Sequence, residues 1–362
     1  MLALAGRPLG LDPVVLDPAP DACAAAVASH IRAPYDDATA LDELARCVDV
    51  VTYEFENVPA ESVRRLADRL PVYPSDVALE SAADRLTEKA LFRRLGLPTA
   101  DYAGARTADE IDAQAERIGY PVVVKTRREG YDGRGQATVR SRAALSDASR
   151  RFGAVPTIVE AHVPFSREVS MVAARDRFGH VACYPLSQNV HGEGILRASV
   201  ARPTDRLQTR AVEYATRLLE SLGYVGVLAL ELFDVGSELI ANEFAPRVHN
   251  SGHWTIEGAE TSQFENHLRA VVGLPLGSTG CIGHTVMLNL IGEVPDRGAV
   301  LEHPGAHLHL YGKAPRERRK LGHITIRAES AEAMWRTALA MSDFPGVDAA
   351  SVRELARSAQ SP

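Results

Sequence analysis

Residues 223–254 read GYVGVLALELFDVGSELIANEFAPRVHNSGHW, and this stretch decides the fold of the chain. Within it, residues 225–234 and 238–244 form two largely apolar runs, separated by Gly236 and Ser237. Small, conformationally permissive residues between two such runs are typical of a β-hairpin. The sequence therefore predicts two antiparallel strands that pair with each other and are mostly buried.

Two glutamates stand in this predicted hairpin, Glu231 in the first strand and Glu243 in the second. Regular pairing from the tip places Glu231 opposite Ala241. The same register places Glu243 opposite Ala229, and the two carboxylates then share one face as diagonal neighbours. A buried carboxylate is costly unless it is paired with a cation. We therefore predict a hard cation here, of the kind that bridges phosphate groups; ion pairs with arginines, or a slipped register, are the alternatives.

The residues that follow the hairpin, 245–254 (APRVHNSGHW), concentrate hydrogen-bonding side chains in a short segment. Helices and strands have no structural need for such a run, which indicates a loop that handles a polar substrate. Arg247 can grip an oxyanion with both arms of its guanidinium group. His249 and His253 can position that anion or transfer a proton, although a histidine outside such a run is more often an ordinary polar residue.

A second signal lies at residues 121–136, PVVVKTRREGYDGRGQ. Lys125 ends an apolar strand, and Gly130, Gly133 and Gly135 follow in the loop. Glycines let backbone N–H groups approach phosphate oxygens closely, and the lysine supplies positive charge. The segment is neither a P-loop nor a GxGxxG fingerprint after a first strand. Together with the downstream acid pair, it predicts a site for the phosphates of ATP.

Composition narrows the function further. The chain of 362 residues has a formal net charge of −7, which gives no basic surface for nucleic acid. Its four cysteines are scattered, and no signal peptide or membrane-length apolar run is recognisable, so we expect a cytoplasmic protein without zinc or disulfides. Of the 40 basic residues only four are lysine, namely Lys89, Lys125, Lys313 and Lys320. A lysine retained against such an arginine bias indicates a site that needs a compact charge.

Three further segments contribute candidate ligands. Asp84 can cap a helix in which Arg85 then faces a phosphate group. Glu160 and Glu168 stand near strand ends, where they can accept hydrogen bonds from adenine or ribose. The cations of residues 309–323 suit an anionic substrate such as a sugar phosphate, although a solvated charge run has the same composition.

The apolar pattern predicts a mixture of sheet types. In the first part of the chain, strands and helices alternate at lengths typical of a parallel sheet. Helices are predicted at 21–30, 39–47, 60–70 and 84–95, and strands at 14–17 and 48–53. From about residue 98 the pattern changes to a small α+β unit, and beyond about residue 161 to longer antiparallel strands. The predicted class is therefore α/β and α+β.

Taken together, these segments resemble the ATP-grasp superfamily, and within it the 5-(carboxyamino)imidazole ribonucleotide synthase family of purine biosynthesis. The resemblance runs in order along nearly the whole chain: YEFENV (53–58), DRLTEK (84–89), GYDGRGQ (130–136), FSREVS (165–170), NEFAPRVHNSGHW (242–254) and YGKAPRERRKLGH (311–323). It implies an ATP-grasp fold with an N-terminal Rossmann-like preATP-grasp domain at 1–97, a lid subdomain at 98–160 and a C-terminal subdomain at 161–362.

The resemblance also implies a reaction in which ATP phosphorylates bicarbonate to carboxyphosphate, and the amine of aminoimidazole ribonucleotide captures the carboxyl group. By the same resemblance Arg247, His249 and Lys313 are catalytic, while Glu231 and Glu243 bind two Mg²⁺ ions. ATP would contact Arg85, Lys125, Tyr131, Asp132, Gly133, Gly135, Gln136, Glu160, Ala161, His162, Val163, Glu168, Asn242 and Glu243. The substrates would contact Glu54, Arg247, His249, Asn250, Ser251, Lys313, Arg319 and Lys320. No nucleic-acid or membrane partner is implied, and a homodimer is suggested.

The chain departs from the family pattern in two places. Family members usually open with an apolar strand and a glycine-rich turn before the first helix, whereas this chain starts at Met1 inside that helix. We therefore expect the Rossmann-like domain to lack its first strand, through a start assigned too far downstream or through a true truncation. In the second place, Glu317 and Arg318 replace what is often Pro-Gly, so we expect a different turn there.

Three alternative functions remain at this point. One is another ATP-grasp ligase, such as a formate-using glycinamide ribonucleotide transformylase or a biotin carboxylase. Another is a non-catalytic ATP-binding module, to which the missing amino terminus would point. A dinucleotide-dependent oxidoreductase is least favoured, because the sequence contains no Rossmann fingerprint.

Overall fold

The computed structural model describes residues 1–128, 130, 135–236 and 238–358 of the chain. Its N-terminal part contains helices α1 (Leu2–Gly6), α2 (Ala38–Cys47), α3 (Ala60–Ala67), α4 (Asp76–Ala83) and α5 (Arg85–Arg94), with strands β1 (Val14–Leu16) and β2 (Ser29–Ile31). The two strands pair in parallel. The predicted parallel sheet type is confirmed, although β2 lies where a helix is predicted, and α2, α3 and α5 form where helices are predicted.

Two predicted elements in this part are wrong. The helix predicted over 21–30 is replaced by a 3-10 turn at Cys23–Ala26, followed by β2. β2 occupies the end of the range predicted as a helix, so strand pairing with β1 outweighs the helix propensity of the alanines there. The strand predicted over 48–53 is reduced to a single bridge between Val51 and Val72.

The next part is a small antiparallel sheet with helices on one face. Its strands are β3 (Tyr102–Ala105), β4 (Val122–Thr126), β5 (Gln136–Val139) and β6 (Thr157–Ala161), in the order β3–β6–β4–β5, and its helices are α6 (Ala108–Ile118) and α7 (Leu145–Phe152). Val122 and Val124 pack against the helices in one apolar cluster. Because side chains alternate along a strand, Val123 and Lys125 point to the opposite face.

Strands from the rest of the described chain form a nine-stranded antiparallel sheet in the order β12–β11–β7–β9–β10–β13–β15–β14, with β8 paired to β7. These strands are β7 (Arg167–Arg175), β8 (Val181–Cys183), β9 (Leu186–Gly192), β10 (Ile195–Arg202), β11 (Gly226–Asp234), β12 (Leu239–Ala245), β13 (His284–Ile291), β14 (Ala306–Leu310) and β15 (Lys320–Ala328). The helices of this part are α8 (Gln208–Ser221), α9 (Thr255–Gly258), α10 (Gln263–Val272), α11 (Arg297–Leu301), α12 (Ala331–Ala340) and α13 (Ala349–Ser358). Within the described ranges, no helix has the length and apolar character needed to span a membrane.

The large sheet is covered on both faces, and β11 shows how. Leu228, Leu230 and Leu232 pack into the apolar cluster that contains α8. Val227 and Ala229 alternate with them and pack into the cluster that contains α1 and α10. The next residue of that second series is a glutamate, which therefore lies where the apolar packing ends.

A buried histidine joins the N-terminal part to this sheet. His267 on α10 is fully buried; its Nδ1 accepts a hydrogen bond from the backbone N–H of Val227 at 3.0 Å. Its Nε2 lies 2.7 Å from Oγ1 of Thr52. Because Nδ1 is an acceptor, the proton of the neutral ring is on Nε2, which donates a hydrogen bond to the hydroxyl group of Thr52. Burial lowers the pKa of His267 to about 4.

We predict that His267 makes the fold acid-labile between pH 6.5 and pH 4. The unfolded chain binds a proton on this ring with a pKa near 6.5, whereas the folded chain resists protonation down to about 4. The stabilisation is therefore complete above pH 6.5 and is lost as the pH falls. The expected loss in the free energy of unfolding is about 2 kcal/mol at pH 5 and about 3 kcal/mol at pH 4.

Urea unfolding at pH 7 and pH 5 measures this effect. His267→Gln should lose less stability over that interval than the wild-type chain, even if it is less stable at pH 7. His284→Gln, at an exposed position, serves as the control and should follow the wild type. An equal loss in wild type and His267→Gln would contradict the assignment.

Candidate active site

The predicted hairpin is formed by β11 and β12, but its register differs from the predicted one. Glu231 lies directly opposite Glu243, not opposite Ala241. Likewise Ala229 lies opposite Ala245, not opposite Glu243. The predicted shared face is therefore correct, whereas the predicted diagonal arrangement is wrong.

A β-bulge at Asn242 produces this register. From the tip, regular pairing runs as far as Leu232 and Ala241. The next pair is Glu231 with Glu243, so Asn242 is the extra residue of the bulge. Without it, the alternation of side chains would send Glu243 to the opposite face, into the apolar core. The bulge is what brings both carboxylates to one face.

The carboxylate pair has the chemistry of a cation site. The side chain of Glu231 is 14% exposed and that of Glu243 is 44% exposed. Burial, followed by the negative charge of Glu243, raises the pKa of Glu231 to about 7. Within the described ranges, no group of three or more His, Cys, Asp or Glu side chains is arranged to hold a metal. The pair nevertheless fits Mg²⁺, which proteins commonly hold by one or two carboxylates together with substrate phosphates.

His249 lies beside this pair as a neutral hydrogen-bond donor. Its Nδ1 accepts from the backbone N–H of Ser251 and lies 2.8 Å from the Ser251 hydroxyl oxygen. Nε2 therefore carries the proton and points at Oε1 of Glu231, 3.2 Å away. Burial, and then the positive charge of Arg247, lowers the pKa of His249 well below its usual range.

A buried glutamine holds the loop around His249. Oε1 of Gln263 accepts from the His249 backbone N–H at 2.9 Å, and its Nε2 donates to the His249 carbonyl at 2.6 Å. The same Nε2 lies 3.0 Å from Nδ1 of His253. Burial lowers the pKa of His253 to about 3. These contacts give His253 a structural role in the loop, in place of the predicted role towards the substrate.

Arg247 is held by a carboxylate from the N-terminal part. Its Nε and Nη2 donate to Oε2 of Glu56 at 3.0 and 2.7 Å. Glu56 lies in the same segment, residues 53–58, as Glu54, which is predicted to be a substrate ligand. In the structure Glu54 is exposed and accepts a hydrogen bond from the backbone N–H of Leu2. The acid that faces the site from this segment is therefore Glu56.

Arg85 reaches the carboxylate pair from the start of α5. Asp84 caps the helix, as predicted, by accepting backbone hydrogen bonds in its first turn. Nη1 of Arg85 donates to the carbonyl of Thr126 at 3.1 Å, and Nη2 lies 3.7 Å from Oε2 of Glu243. The guanidinium also passes so close to Gly130 that a Cβ atom there would overlap it. A side chain at position 130 would therefore displace the guanidinium group of Arg85 from its present place.

Lys125 projects from the open face of the small sheet towards a buried carboxylate. Its Nζ lies 2.7 Å from Oε2 of Glu160 on β6. Burial alone would raise the pKa of Glu160, but the positive charges of Lys125 and Lys89 outweigh it and bring the pKa to about 2. Glu160 is therefore ionised throughout the physiological pH range.

These elements surround a cavity of about 460 Å³ between the two sheets. The predicted site residues that line it are Arg85, Lys125, Gln136, Glu160, Ala161, His162, Val163, Glu168, Glu231, Asn242, Glu243, Arg247, His249, Asn250 and Lys320. Three of the four lysines, Lys89, Lys125 and Lys320, also line it. Phe165 stacks on Phe233 in the cavity wall, with ring centroids 4.6 Å apart.

The other predicted residues lie elsewhere. Within the described ranges, those away from the cavity wall are Glu54, Gly135, Ser251, Lys313 and Arg319. Ser251 is buried, and its hydroxyl group lies within hydrogen-bond distance of Nδ1 of His249. Lys313 is exposed, with its Nζ 5.6 Å from the ring centroid of Tyr311. The residues Tyr131, Asp132 and Gly133 lie outside the described residues.

Four titratable lining residues are missed by the sequence prediction: Glu56, Glu88, Arg127 and His191. Lys89, which the scarcity of lysine singles out, also lines the cavity, although no ligand is predicted for it. Glu88 carries no such signal, because on an isolated helix it reads as a solvent-facing residue. In the structure its Oε1 accepts from the backbone N–H of Phe244 at 2.7 Å, next to Glu243. Burial, and then the charge of Glu243, raises the pKa of Glu88.

The turn at Glu317 and Arg318, where the sequence departs from the family pattern, has an unusual backbone conformation. Arg318 has φ of 62°, in the left-handed region that favours glycine. Its guanidinium group donates to the carboxylate of Glu193 at 2.8 Å and to the Glu193 carbonyl at 3.0 Å. These contacts hold the Arg318 side chain against Glu193.

Comparison with known proteins places this geometry in a family. Three family models match the chain in order: the ribonucleotide synthetase preATP-grasp domain at 1–83, the ATP-grasp domain at 90–264, and the phosphoribosylaminoimidazole carboxylase C-terminal domain at 285–337. The N5-carboxyaminoimidazole ribonucleotide synthase of Pseudomonas aeruginosa is 55% identical over 327 residues, which are 90% of this chain and 91% of that protein. The chain belongs to the N5-carboxyaminoimidazole ribonucleotide synthase family. The predicted family and the predicted class, an ATP-dependent ligase, are confirmed.

Solved structures of the family agree with the fold. The synthetase of Thermus thermophilus superposes with a TM-score of 0.91 at 52% identity, over 95% of each chain. The Aspergillus clavatus synthase, solved in complex with ADP and 5-aminoimidazole ribonucleotide, gives a TM-score of 0.88 at 28% identity over 95% of this chain and 94% of that chain. The ATP-grasp fold with a preATP-grasp domain is confirmed.

We expect Glu243→Gln to remove most ATP turnover and to leave the fold intact. The amide keeps the size of the side chain but lacks the charge that a hard cation requires. Turnover at saturating ATP and Mg²⁺ should fall by about 100-fold or more. Phosphate release measures turnover, and the midpoint of thermal unfolding reports on the fold.

Glu238→Gln is the matched control, because Glu238 is an exposed glutamate of the same hairpin. It should keep the wild-type turnover. Near-normal phosphate release by Glu243→Gln would show that the pair does not hold the cation.

Proposed function

We propose that this chain carboxylates the amine of 5-aminoimidazole ribonucleotide with bicarbonate, at the expense of ATP and through carboxyphosphate. One observation carries the proposal: the acid pair, the two candidate phosphate ligands and the Arg247–His249 loop line the same cavity. A site that activates bicarbonate must hold a nucleoside triphosphate next to a small oxyanion and keep water out of the space between them. Convergence of these groups supports that chemistry.

The ATP end of the proposed site lies between the two sheets. Arg85 and Lys125 supply charge for phosphate oxygens, and residues 160–163 lie along the cavity wall. The stacked rings of Phe165 and Phe233 offer an apolar surface of the kind that a purine base contacts. Mg²⁺, held by Glu231 and Glu243 together with phosphate oxygens, would neutralise the crowded phosphate charge.

The bicarbonate end is proposed at Arg247 and His249. The neutral His249 presents an Nε2–H donor, which can hydrogen-bond to an oxygen of the anion without adding a charge. Arg247 can bind the anion with two parallel hydrogen bonds if its ion pair with Glu56 opens. Asn250 is oriented beside them by reciprocal amide hydrogen bonds with Asn289 at 3.1 and 2.6 Å. A fixed amide of this kind can orient the acceptor amine.

The ribonucleotide end is proposed around Lys320, which lines the cavity, with Lys313 and Arg319 on the adjoining segment. Arg319 donates to the carbonyl of Ala314 at 3.2 Å, which keeps that segment folded back on itself. A sugar phosphate that entered here would meet several cations. The domain bounds at 97 and 160, the cytoplasmic location and the homodimer stay predictions.

We predict that phosphate release requires both bicarbonate and 5-aminoimidazole ribonucleotide. Omission of either should reduce the rate to background, and labelled bicarbonate should appear in an acid-labile product. Arg247→Ala should lower turnover by about 100-fold or more, because the developing negative charge loses a donor. The Kd for ATP should stay within about 3-fold of the wild-type value, since Arg247 is not assigned to ATP.

Arg336→Ala, at an exposed arginine of α12, is the control and should behave as wild type. Turnover with formate and glycinamide ribonucleotide would instead support the transformylase alternative. ATP binding without turnover under any of these conditions would support a non-catalytic ATP-binding module.

A further inference from the structure

Lys89 is a buried cation whose position in the site is fixed by two strands. It is 2% exposed, on the helix α5. Its Nζ donates to the carbonyl of Ala241 on β12 at 3.2 Å and lies 3.7 Å from Oε1 of Glu160 on β6. The side chain therefore connects α5 to both the large sheet and the small one.

Glu160 lies between two ammonium groups. Its Oε2 is 2.7 Å from Nζ of Lys125, on the side that faces the cavity. Its Oε1 is buried and accepts no hydrogen bond from the described residues, although Lys89 lies within ion-pair distance. Glu160 itself is only 4% exposed. One buried carboxylate thus has two cations, and the second of these approaches an oxygen that still has acceptor capacity.

The two lysines differ in their access to a ligand. Lys125 is assigned to a phosphate group of ATP, but its ammonium group points at Glu160. A cation that leaves a buried carboxylate exposes an uncompensated charge, which is strongly unfavourable. Lys89 is held by the Ala241 carbonyl and is too enclosed to bind a phosphate itself. It can remain with Glu160 when Lys125 turns away.

We propose that Lys89 is a positioning residue: it stays as the counter-charge of Glu160 and so leaves Lys125 free to bind a phosphate group of ATP. The inference rests on the proposed function, because it assumes that ATP binds between the two sheets. A small movement of the Lys89 ammonium group would turn its 3.7 Å contact with Oε1 into a hydrogen bond. That bond would replace the one that Glu160 loses from Lys125.

Lys89→Met tests the proposal, because methionine keeps a similar length and removes the charge. Glu160 then has Lys125 as its one close cation, and ATP must compete with the carboxylate for it. We expect the Kd for ATP, measured by titration calorimetry, to rise about 10-fold or more. The KM for ATP should rise in parallel, while kcat at saturating ATP changes by less than about 3-fold.

A double-mutant cycle separates this role from simple packing. Glu160→Gln removes the charge that Lys89 is proposed to balance, so Lys89→Met should have little further effect in that background. The double variant should bind ATP within about 3-fold of Glu160→Gln alone. If the single Lys89→Met variant does not fold, the comparison of the double variant with Glu160→Gln still decides the question.

Two results would overturn the proposal. In one, Lys89→Met binds ATP as the wild-type chain does, which would mean that Lys125 serves Glu160 and the phosphate together. In the other, Lys89→Met weakens ATP binding equally with and without Glu160→Gln, which would assign Lys89 a packing role at Ala241. Failure of the proposed function looks different, because the wild-type chain would then show no ATP binding or no turnover that depends on bicarbonate.

Discussion

One extra residue in a strand governs the geometry of this site. The β-bulge at Asn242 interrupts the alternation of β12 once, so that Leu239, Ala241 and Phe244 all pack into the core below α8. The core residues are thus spaced by two positions, from Leu239 to Ala241, and then by three, from Ala241 to Phe244. Glu243 therefore lies on the other face of the sheet, opposite Glu231. Core packing and the placement of charge are therefore satisfied by the same irregularity. A regular strand could satisfy only one of them.

Several of the carboxylates around the cavity are partly or fully removed from water and already have partners within the protein. Three of these carboxylates are compensated in different ways: the buried Glu160 by two lysines, the buried Glu88 by a backbone N–H group, and the partly buried Glu56 by Arg247. Such burial is expensive, and it contributes little net stability. What it provides is a set of charges and dipoles already fixed in place, which need not reorganise when negative charge develops on a substrate.

Features that depend on neighbouring residues can be predicted from the sequence. Features that depend on contacts between distant segments cannot. The helix cap at Asp84 and the strand carrying Lys125 follow from short patterns, as does the existence of the hairpin. The bulge does not, because its register is set by core packing rather than by the turn. Glu56 and Glu88 are missed for a related reason: their partners lie 191 and 156 positions away in the chain. Only the tertiary fold gives these residues a reason to face the cavity.

The scarcity of lysine gives the molecule an unusual chemical profile. Lys89 is buried in the cavity wall, Lys125 and Lys320 line the cavity and are partly exposed, and Lys313 is the most exposed lysine of the chain. Reagents that acylate primary amines label most proteins over their whole surface. On this chain they would find few targets, and two of them open into the cavity. Acylation sites mapped by mass spectrometry would thus report on occupancy of the cavity with little background from the rest of the surface.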